Sequence, residues 1–409
     1  MLQNPPMACF ELHPEVAPVD PAEATVSGWV HPDYVSVAAQ FRNNFDGVEL
    51  GASACVVVDG YRVLDLWGGQ VALGGDPWRE QTVVPFYSCS KILTTLVCHQ
   101  LIDSLSYDLD APLIDVWPEL KAAQQGATLK MALNHSLGLP AMSEPLKPGA
   151  YEDHAYMAEQ LAAQSPWWPP GSAVGYHPVT FGFVLNEWVL RVSGETIGQR
   201  FARLWAKPYA LECWIGLPPS EFPKVAPLVP MRYREGESRG PIMDTAKQQG
   251  TIQNAWMFNA GGWRIDRVNC AEGLAPEIPA AGGVGNARGL ASTLALLLQP
   301  EVRAQLGFSE QALERLVSLD VHTELDQTLL RPTAFSLGMM KNMPARSEDP
   351  DDCFRIPSRA FGHVGQGGSF ALCDPDRNLT MAYTMNQLGP GMLLNPRGQR
   401  LIDALYSNL

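Results

Sequence analysis

Charge is what this sequence has least of. Charged side chains make up 18% of its 409 residues, against about 25% in an average globular chain. The 29 basic and 43 acidic residues leave a net charge of −14. No run of Lys or Arg is long enough to neutralise a phosphate backbone, so nucleic acid and anionic membrane surfaces are excluded as partners. No apolar stretch approaches the roughly 20 residues that cross a bilayer, and the first thirty residues contain no Lys or Arg. Neither a membrane span nor a secretory leader is expected, and the chain reads as soluble and cytoplasmic. Cysteine is sparse too: eight residues with no Cys-x-x-Cys pair, which argues against a zinc site. Cys55 lies inside an apolar run over 54–58, where a thiol behaves as a small core side chain, so the cysteines are expected to be reduced and buried. Also missing are G-x-S-x-G, a G-x-G-x-x-G after a strand, H-E-x-x-H and a P-loop. Their absence removes the nucleophile elbow, the phosphate cradles of nucleotide binders and the zinc-peptidase helix.

What is present is a core and many stiff loops: 46% hydrophobic residues, 36 Gly and 34 Pro. The length allows two or three domains of about 150 residues, or one unusually large unit. Residues 1–30 are Pro-rich, acidic and without period, the pattern of an arm laid over the surface or over a partner subunit, so a homo-oligomer is possible. Two strand-like runs, 52–58 and 61–67, flank Asp59-Gly60, a strong hairpin signal. An apolar-periodic run over 92–104 predicts a helix with Ser88 at its entrance. Further helices are expected over 128–135, 152–164, 180–192 and 196–205, and long loops over 218–262, a length typical of a lid or binding loop. Helices over 287–298 and 310–319, strands over 334–339, 369–373 and 379–385, and a last helix over 397–406 complete the chain. Strands at both ends with helices between them predict an α/β (α+β) fold: one antiparallel sheet formed by both chain ends and flanked by helices, with a mostly helical lobe inserted. The expected divisions are an arm at 1–30, a sheet lobe at 31–104 and 281–409, and a helical lobe at 105–280.

Chemistry enters at Ser88-Cys89-Ser90-Lys91. Residues three apart share a helix face, so the Lys91 amine can reach the Ser88 hydroxyl, and a helix N-terminus favours developing negative charge. A serine becomes a nucleophile when a neighbouring base takes its proton, and a desolvated lysine can be that base. By itself the tetrapeptide also fits a capping serine and a solvated lysine. Three further blocks follow in order: Leu109-Asp110-Ala111-Pro112-Leu113 running on to Asn134-His135-Ser136-Leu137-Gly138, then Pro170-Gly171-Ser172-Ala173-Val174-Gly175-Tyr176-His177-Pro178, then Gly362-His363-Val364-Gly365-Gln366-Gly367-Gly368-Ser369.

In this order and spacing the chain resembles the serine β-lactamase and penicillin-binding superfamily, most of all the class C-like branch that holds the family VIII carboxylesterases. The likeness runs from about residue 30 to the C-terminus. It implies Ser88 as the acylated nucleophile, Lys91 as its proton partner, and Tyr176 as the family's tyrosine that passes a proton to the leaving group. It also implies an oxyanion hole made of the backbone N–H groups of Ser88 and Gln366. Two departures bear on substrate. The family's Y-x-N reads Tyr176-His177-Pro178, and its K-T-G reads His363-Val364-Gly365. An imidazole holds a carboxylate less firmly than a fixed ammonium, which argues against β-lactams as main substrates. Tyr406-Ser407-Asn408 matches Y-x-N too, but at the very end of the chain it is a decoy.

His363, Gly365, His177, Trp168, Trp256 and Trp263 are expected around the substrate. The alternatives are a satisfied structural histidine for His363, a brace for the tyrosine loop for His177, and ordinary packing for the tryptophans; His135 is expected to bond loop backbone. The expected activity is a serine carboxylesterase acting on a small-molecule ester of a small or medium acid, with no metal or organic cofactor. An acyltransferase, a β-lactamase or D-amino-acid peptidase, and a non-catalytic relative are the rivals.

Overall fold

The computed structural model describes residues 10–19, 25–231, 241–347 and 349–407. Its strands are β1 (Ala17–Pro18), β2 (Val26–Val30), β3 (Gly51–Val58), β4 (Tyr61–Gly69), β5 (Val84–Pro85), β6 (Cys213–Ile215), β7 (Gly283–Gly285), β8 (Val321–Thr323), β9 (Thr333–Phe335), β10 (Phe361–Val364), β11 (Phe370–Asp374) and β12 (Leu379–Met385). The β3–β4 hairpin turns at Asp59 (φ 50°) and Gly60 (φ 81°), the two left-handed positions of a type I′ turn, whose twist matches that of paired strands. β3 then pairs antiparallel with β12, from Ala52 opposite Met385 to Val58 opposite Leu379. That pairing joins the two ends of the chain in one antiparallel seven-stranded sheet, ordered β1-β2-β4-β3-β12-β11-β10.

Side chains alternate across this sheet as the pleat requires. Ala54 and Val56 of β3 and Met381 and Tyr383 of β12 face a cluster with Val37, Phe41 and Leu401, supplied by the helices Val35–Phe45 and Pro396–Tyr406. Cys55, Val57 and Ala382 face the opposite cluster with Leu290, Ala291 and Leu294, from the helix Ala287–Ala295. Beyond that helix lies Ser90–Leu105, in which every residue from Ser90 to Ile102 is buried. A helix covered on all sides is a core helix, and this one fixes where Lys91 can be. The mostly helical segment between the sheet's two halves packs around it, including Thr180–Ser193 and Ile197–Phe201.

A second small sheet, β5-β7-β6, ties Pro85 to Val284 and Cys213 to Gly285. Phe86 N donates to Gly283 O at 3.0 Å, which anchors the chain just before Ser88. The 218–262 stretch differs from its expectation. Its described residues contain the short helices Pro219–Lys224, Pro241–Ala246 and Ile252–Phe258, each one or two turns and therefore too short to leave a 3.6-residue period. The strand expected over 334–339 is also shorter, because Ser336 N bonds Met339 O and Gly338 takes φ 101°, turning the chain. Of the arm, residues 10–19 lie against the chain's own outer strands: Arg62 N donates to Glu11 O, His13 N donates to Arg62 O, and β1 pairs with β2. The seven described cysteines are unpaired, all but Cys270 buried. Cys9 and Asn408 lie outside the described residues. Among the described residues no helix is long and apolar enough to cross a membrane.

Candidate active site

Ser88 sits in a single 3-10 turn, Tyr87–Cys89, that feeds directly into Ser90–Leu105. Tyr87 takes φ 46°, a left-handed value that a residue with a Cβ adopts only when its surroundings hold it there. Ser90 does part of the holding: its hydroxyl donates to Tyr87 O and accepts from Gly283 N. One helical turn on, Lys91 Nζ lies 3.1 Å from Ser88 Oγ, 2.7 Å from Pro178 O and 2.9 Å from Ala280 O. Lys91 is fully buried, and burial pushes its pKa well below the usual lysine value. The partner set explains what a neutral amine does there. Both carbonyls can only accept, so they take the two N–H bonds of an –NH₂ group, and the remaining lone pair is left for the Ser88 hydroxyl proton.

Tyr176 completes the group. Burial raises the pKa of its hydroxyl against the pull of Ser88, so it rests as a neutral phenol. Lys91 Nζ is 4.8 Å from the centre of its ring. The backbone of the tyrosine loop is pinned by a residue that sequence reasoning missed: Tyr176 N donates to both oxygens of Asp326, at 3.0 and 2.9 Å. Asp326 also accepts from Thr328 N, Leu329 N and Thr333 Oγ1. Burial lifts its pKa to about 6 against the pull of these donors. Its bond to Thr328 N is an Asx turn, a local signal readable in Asp-x-Thr, but nothing near 326 in the sequence points to residue 176.

The histidines act behind the site. His177 Nδ1 pairs with Gly175 O at 2.7 Å and its Nε2 accepts from Leu139 N at 3.0 Å. With both nitrogens occupied and its pKa pushed down to about 3 by burial, it braces the loop and does not line the cavity, contrary to the substrate-binding expectation. His135, at φ 66°, accepts from His177 N and, through its carbonyl, from Gly175 N. His363 is likewise buried behind the lining, with Nδ1 on Val364 O at 2.7 Å and a ring centre 5.9 Å from that of Tyr176. Burial takes its pKa to about 3, so it offers no cation to a substrate carboxylate. Trp168 is turned inward as well: Nε1 donates to Ser136 O at 3.2 Å and the ring edges onto His177.

Gly365 also stands away from the lining, and its backbone explains the glycine. A Cβ there would lie 2.2 Å from Phe86 O, so only glycine lets this strand end approach the nucleophile turn. Gln366 follows and lines the same cavity as Ser88. The turn beyond it is held from below: Gly367 O accepts from Asn395 Nδ2 at 2.8 Å, Gly389 N at 2.9 Å and Arg397 Nη2 at 3.3 Å. Arg397 is paired in turn with the buried Glu49 at 2.8 Å. These residues, 49 and 395–397, were also missed, since a lone Glu and a helix start carry no motif.

The cavity measures about 410 Å³, with Ser88, Tyr176 and Gln366 at one side. Tyr87, Tyr151, Met257, Met340 and Met392 line it together with Trp256 and Trp263, the two tryptophans expected there. Arg264 is the one charged residue among its described lining residues. An apolar concavity with a few convergent polar groups is what a small-molecule site requires.

The beta-lactamase family model matches residues 37–405. The esterase/beta-lactamase LipL of Mycobacterium tuberculosis is 28% identical over 377 residues, 89% of this chain and 83% of that protein. Among solved structures, a penicillin-binding protein homologue from Caulobacter crescentus is 30% identical with a TM-score of 0.80, covering 94% of this chain and 100% of that one. A family VIII carboxylesterase gives the same identity, TM-score and coverage. The chain belongs to the beta-lactamase family of serine hydrolases.

Proposed function

We propose that this protein is a carboxylesterase that hydrolyses esters of small or medium acids through an acyl group on Ser88. The observation that carries the reading is the Lys91 amine, whose two hydrogens are taken by Pro178 O and Ala280 O while Ser88 Oγ stands third, at 3.1 Å. In the proposed reaction Lys91 receives the Ser88 proton as Oγ attacks the ester carbonyl. The N–H groups of Ser88 and Gln366 hold the oxyanion. Tyr176 protonates the departing alcohol and is reprotonated by Lys91, which holds the proton taken from Ser88. Water, deprotonated by the same pair, then releases the acid and restores Ser88. Ester preference is supported by the buried His363, which leaves the K-T-G position without a cation, and by the likeness to LipL and to a family VIII carboxylesterase. A weaker β-lactamase activity is a second reading, because LipL carries both names.

The test is turnover of p-nitrophenyl esters of graded acyl length beside nitrocefin. Ester cleavage should exceed nitrocefin cleavage, Ser88→Ala should abolish it, and a serine-directed phosphonate should label Ser88 alone. Retained activity in Ser88→Ala, or label on another residue, overturns the assignment. Faster nitrocefin turnover favours the β-lactamase reading, and acyl product in place of acid when an alcohol acceptor is added favours a transferase.

A further inference from the structure

The docked arm brings three potential metal ligands together beside the outer strands of the sheet. His13 and Glu15 belong to the arm, and His31 directly follows β2. The two imidazoles meet edge to face with ring centres 4.7 Å apart, and Glu15 Oε2 lies 3.2 Å from His31 Nε2. One donor atom from each of the three residues lies within 4.8 Å of the other two. Two imidazoles and a carboxylate form a donor set of the kind that takes Zn²⁺, Co²⁺ or Ni²⁺, with nitrogens at about 2.0–2.1 Å from the ion. Closing the triangle needs only side-chain rotation. The Glu15 side chain is 72% exposed and free to swing, while His31 is 11% exposed and already set.

His31 is also backed by the carboxylate such ligands require. Its Nδ1 accepts from Asp33 N at 3.3 Å and lies 3.6 Å from Asp33 Oδ2. When Nε2 gives its lone pair to an ion, the ring proton resides on Nδ1, so the bond from Asp33 N is given up and Asp33 Oδ2 must close from 3.6 Å to accept the proton. The expectation of no zinc rested on cysteine spacing; this donor set contains none, and its third member is separated from the first two by strands β1 and β2.

We propose that His13, Glu15 and His31 bind one divalent transition-metal ion of zinc-like ligand preference, tying the N-terminal arm to the outer edge of the sheet. The same contacts could serve only as an ion pair between protonated His31 and Glu15, and the two differ in sign with pH. An ion pair strengthens as acid protonates the imidazoles, whereas an ion competes with those protons and binds better as pH rises. Facing groups that share the field are Asp33, Tyr34 and Tyr61.

The experiment is calorimetric titration of tag-free, EDTA-stripped full-length protein with ZnCl₂ at pH 6 and pH 8. One equivalent should bind, more tightly at pH 8, and His13→Gln or His31→Gln should weaken it at least tenfold with ester turnover unchanged. Glu15→Gln, at an exposed position, gives the same answer should either histidine variant fold poorly. No binding, equal binding in all variants (as cysteine capture would give), or binding that weakens from pH 6 to pH 8 overturns the proposal.

Discussion

The two walls of the cavity are built in different ways. The rear wall, with Ser88 and Tyr176 on the cavity and Lys91 buried behind them, is a lattice in which backbone carbonyls and polar side chains hold each group: Pro178 O and Ala280 O on Lys91, Asp326 on Tyr176, Arg397 and Asn395 on the turn after Gln366. The front wall is made of half-buried aromatic and Met side chains on the short helix Ile252–Phe258 and the segment before Val268. One wall is fixed by directed bonds and the other by contact area. Substitutions in the rear should therefore act on kcat, and those in front on KM and substrate choice.

The largest effect is expected at Lys91. Lys91→Met keeps the length of the side chain and removes the base, and should cost about 10⁴-fold in kcat/KM. The wild-type rate should fall on the acid side as Lys91 takes up a proton. Because the folded pKa lies below the unfolded value of 10.5, the native chain holds fewer protons on Lys91 than the unfolded chain does. Wild-type stability should then rise relative to Lys91→Met as pH increases towards that value, which denaturant melts at pH 7 and pH 9 will measure. An unchanged difference would mean that Lys91 is charged in the fold. Next comes Asp326→Asn, which keeps shape but places an amide among donors. Misplacing Tyr176 should lower kcat by up to about a hundredfold with little change in KM. A KM effect alone would move Asp326 out of the rear lattice.

Arg397→Met leaves Glu49 buried without its cation and should cost about 3–5 kcal/mol of stability. The loosened 366–368 turn should lower kcat about tenfold for the folded fraction, compared at a temperature where both proteins are folded. Trp256→Ala is the smallest. It should raise KM roughly threefold to tenfold for long-acyl or aromatic esters, leave kcat and acetate esters nearly unchanged, and shift the melting midpoint little, since the side chain is half-buried. A fall in kcat for every ester would erase the distinction between the walls.

The same division decided what could be read from the sequence. The rear wall's reacting groups announce themselves: Ser88 and Lys91 are three apart on a helix, and Tyr176 follows a Pro-Gly block. The Asp59-Gly60 turn and strand β12 are local patterns as well, and they lie where the sequence puts them. Asp326 and Arg397 escape because each bonds backbone far away in the chain, and Glu49 because its partners are the distant side chains of Arg397 and Tyr383; a carboxylate's value as an acceptor is invisible until the fold supplies the donor. His177, His363, Gly365 and Trp168 were placed on the substrate side because they neighbour reacting residues in sequence. Alternation along β10 turns His363 behind the lining, the tight approach to Phe86 O sets Gly365 back, and bonds to Gly175 O, Leu139 N and Ser136 O hold His177 and Trp168 there. The short helices of 218–262 lacked the length for a period.

The pairing of β3 with β12 has a consequence in time as well as in space. Ser88 and Lys91 leave the ribosome well before Gln366 and the strand that closes the sheet. Closure therefore depends on contacts of long sequence separation, which form late and slowly. On the proposed mechanism, a growing chain therefore carries Ser88 for a long stretch of synthesis before the Gln366 N–H that would hold an oxyanion. Acylation of Ser88 on stalled nascent chains should thus appear only once residues through Met385 have emerged, which makes ester cleavage a direct clock for completion of the fold.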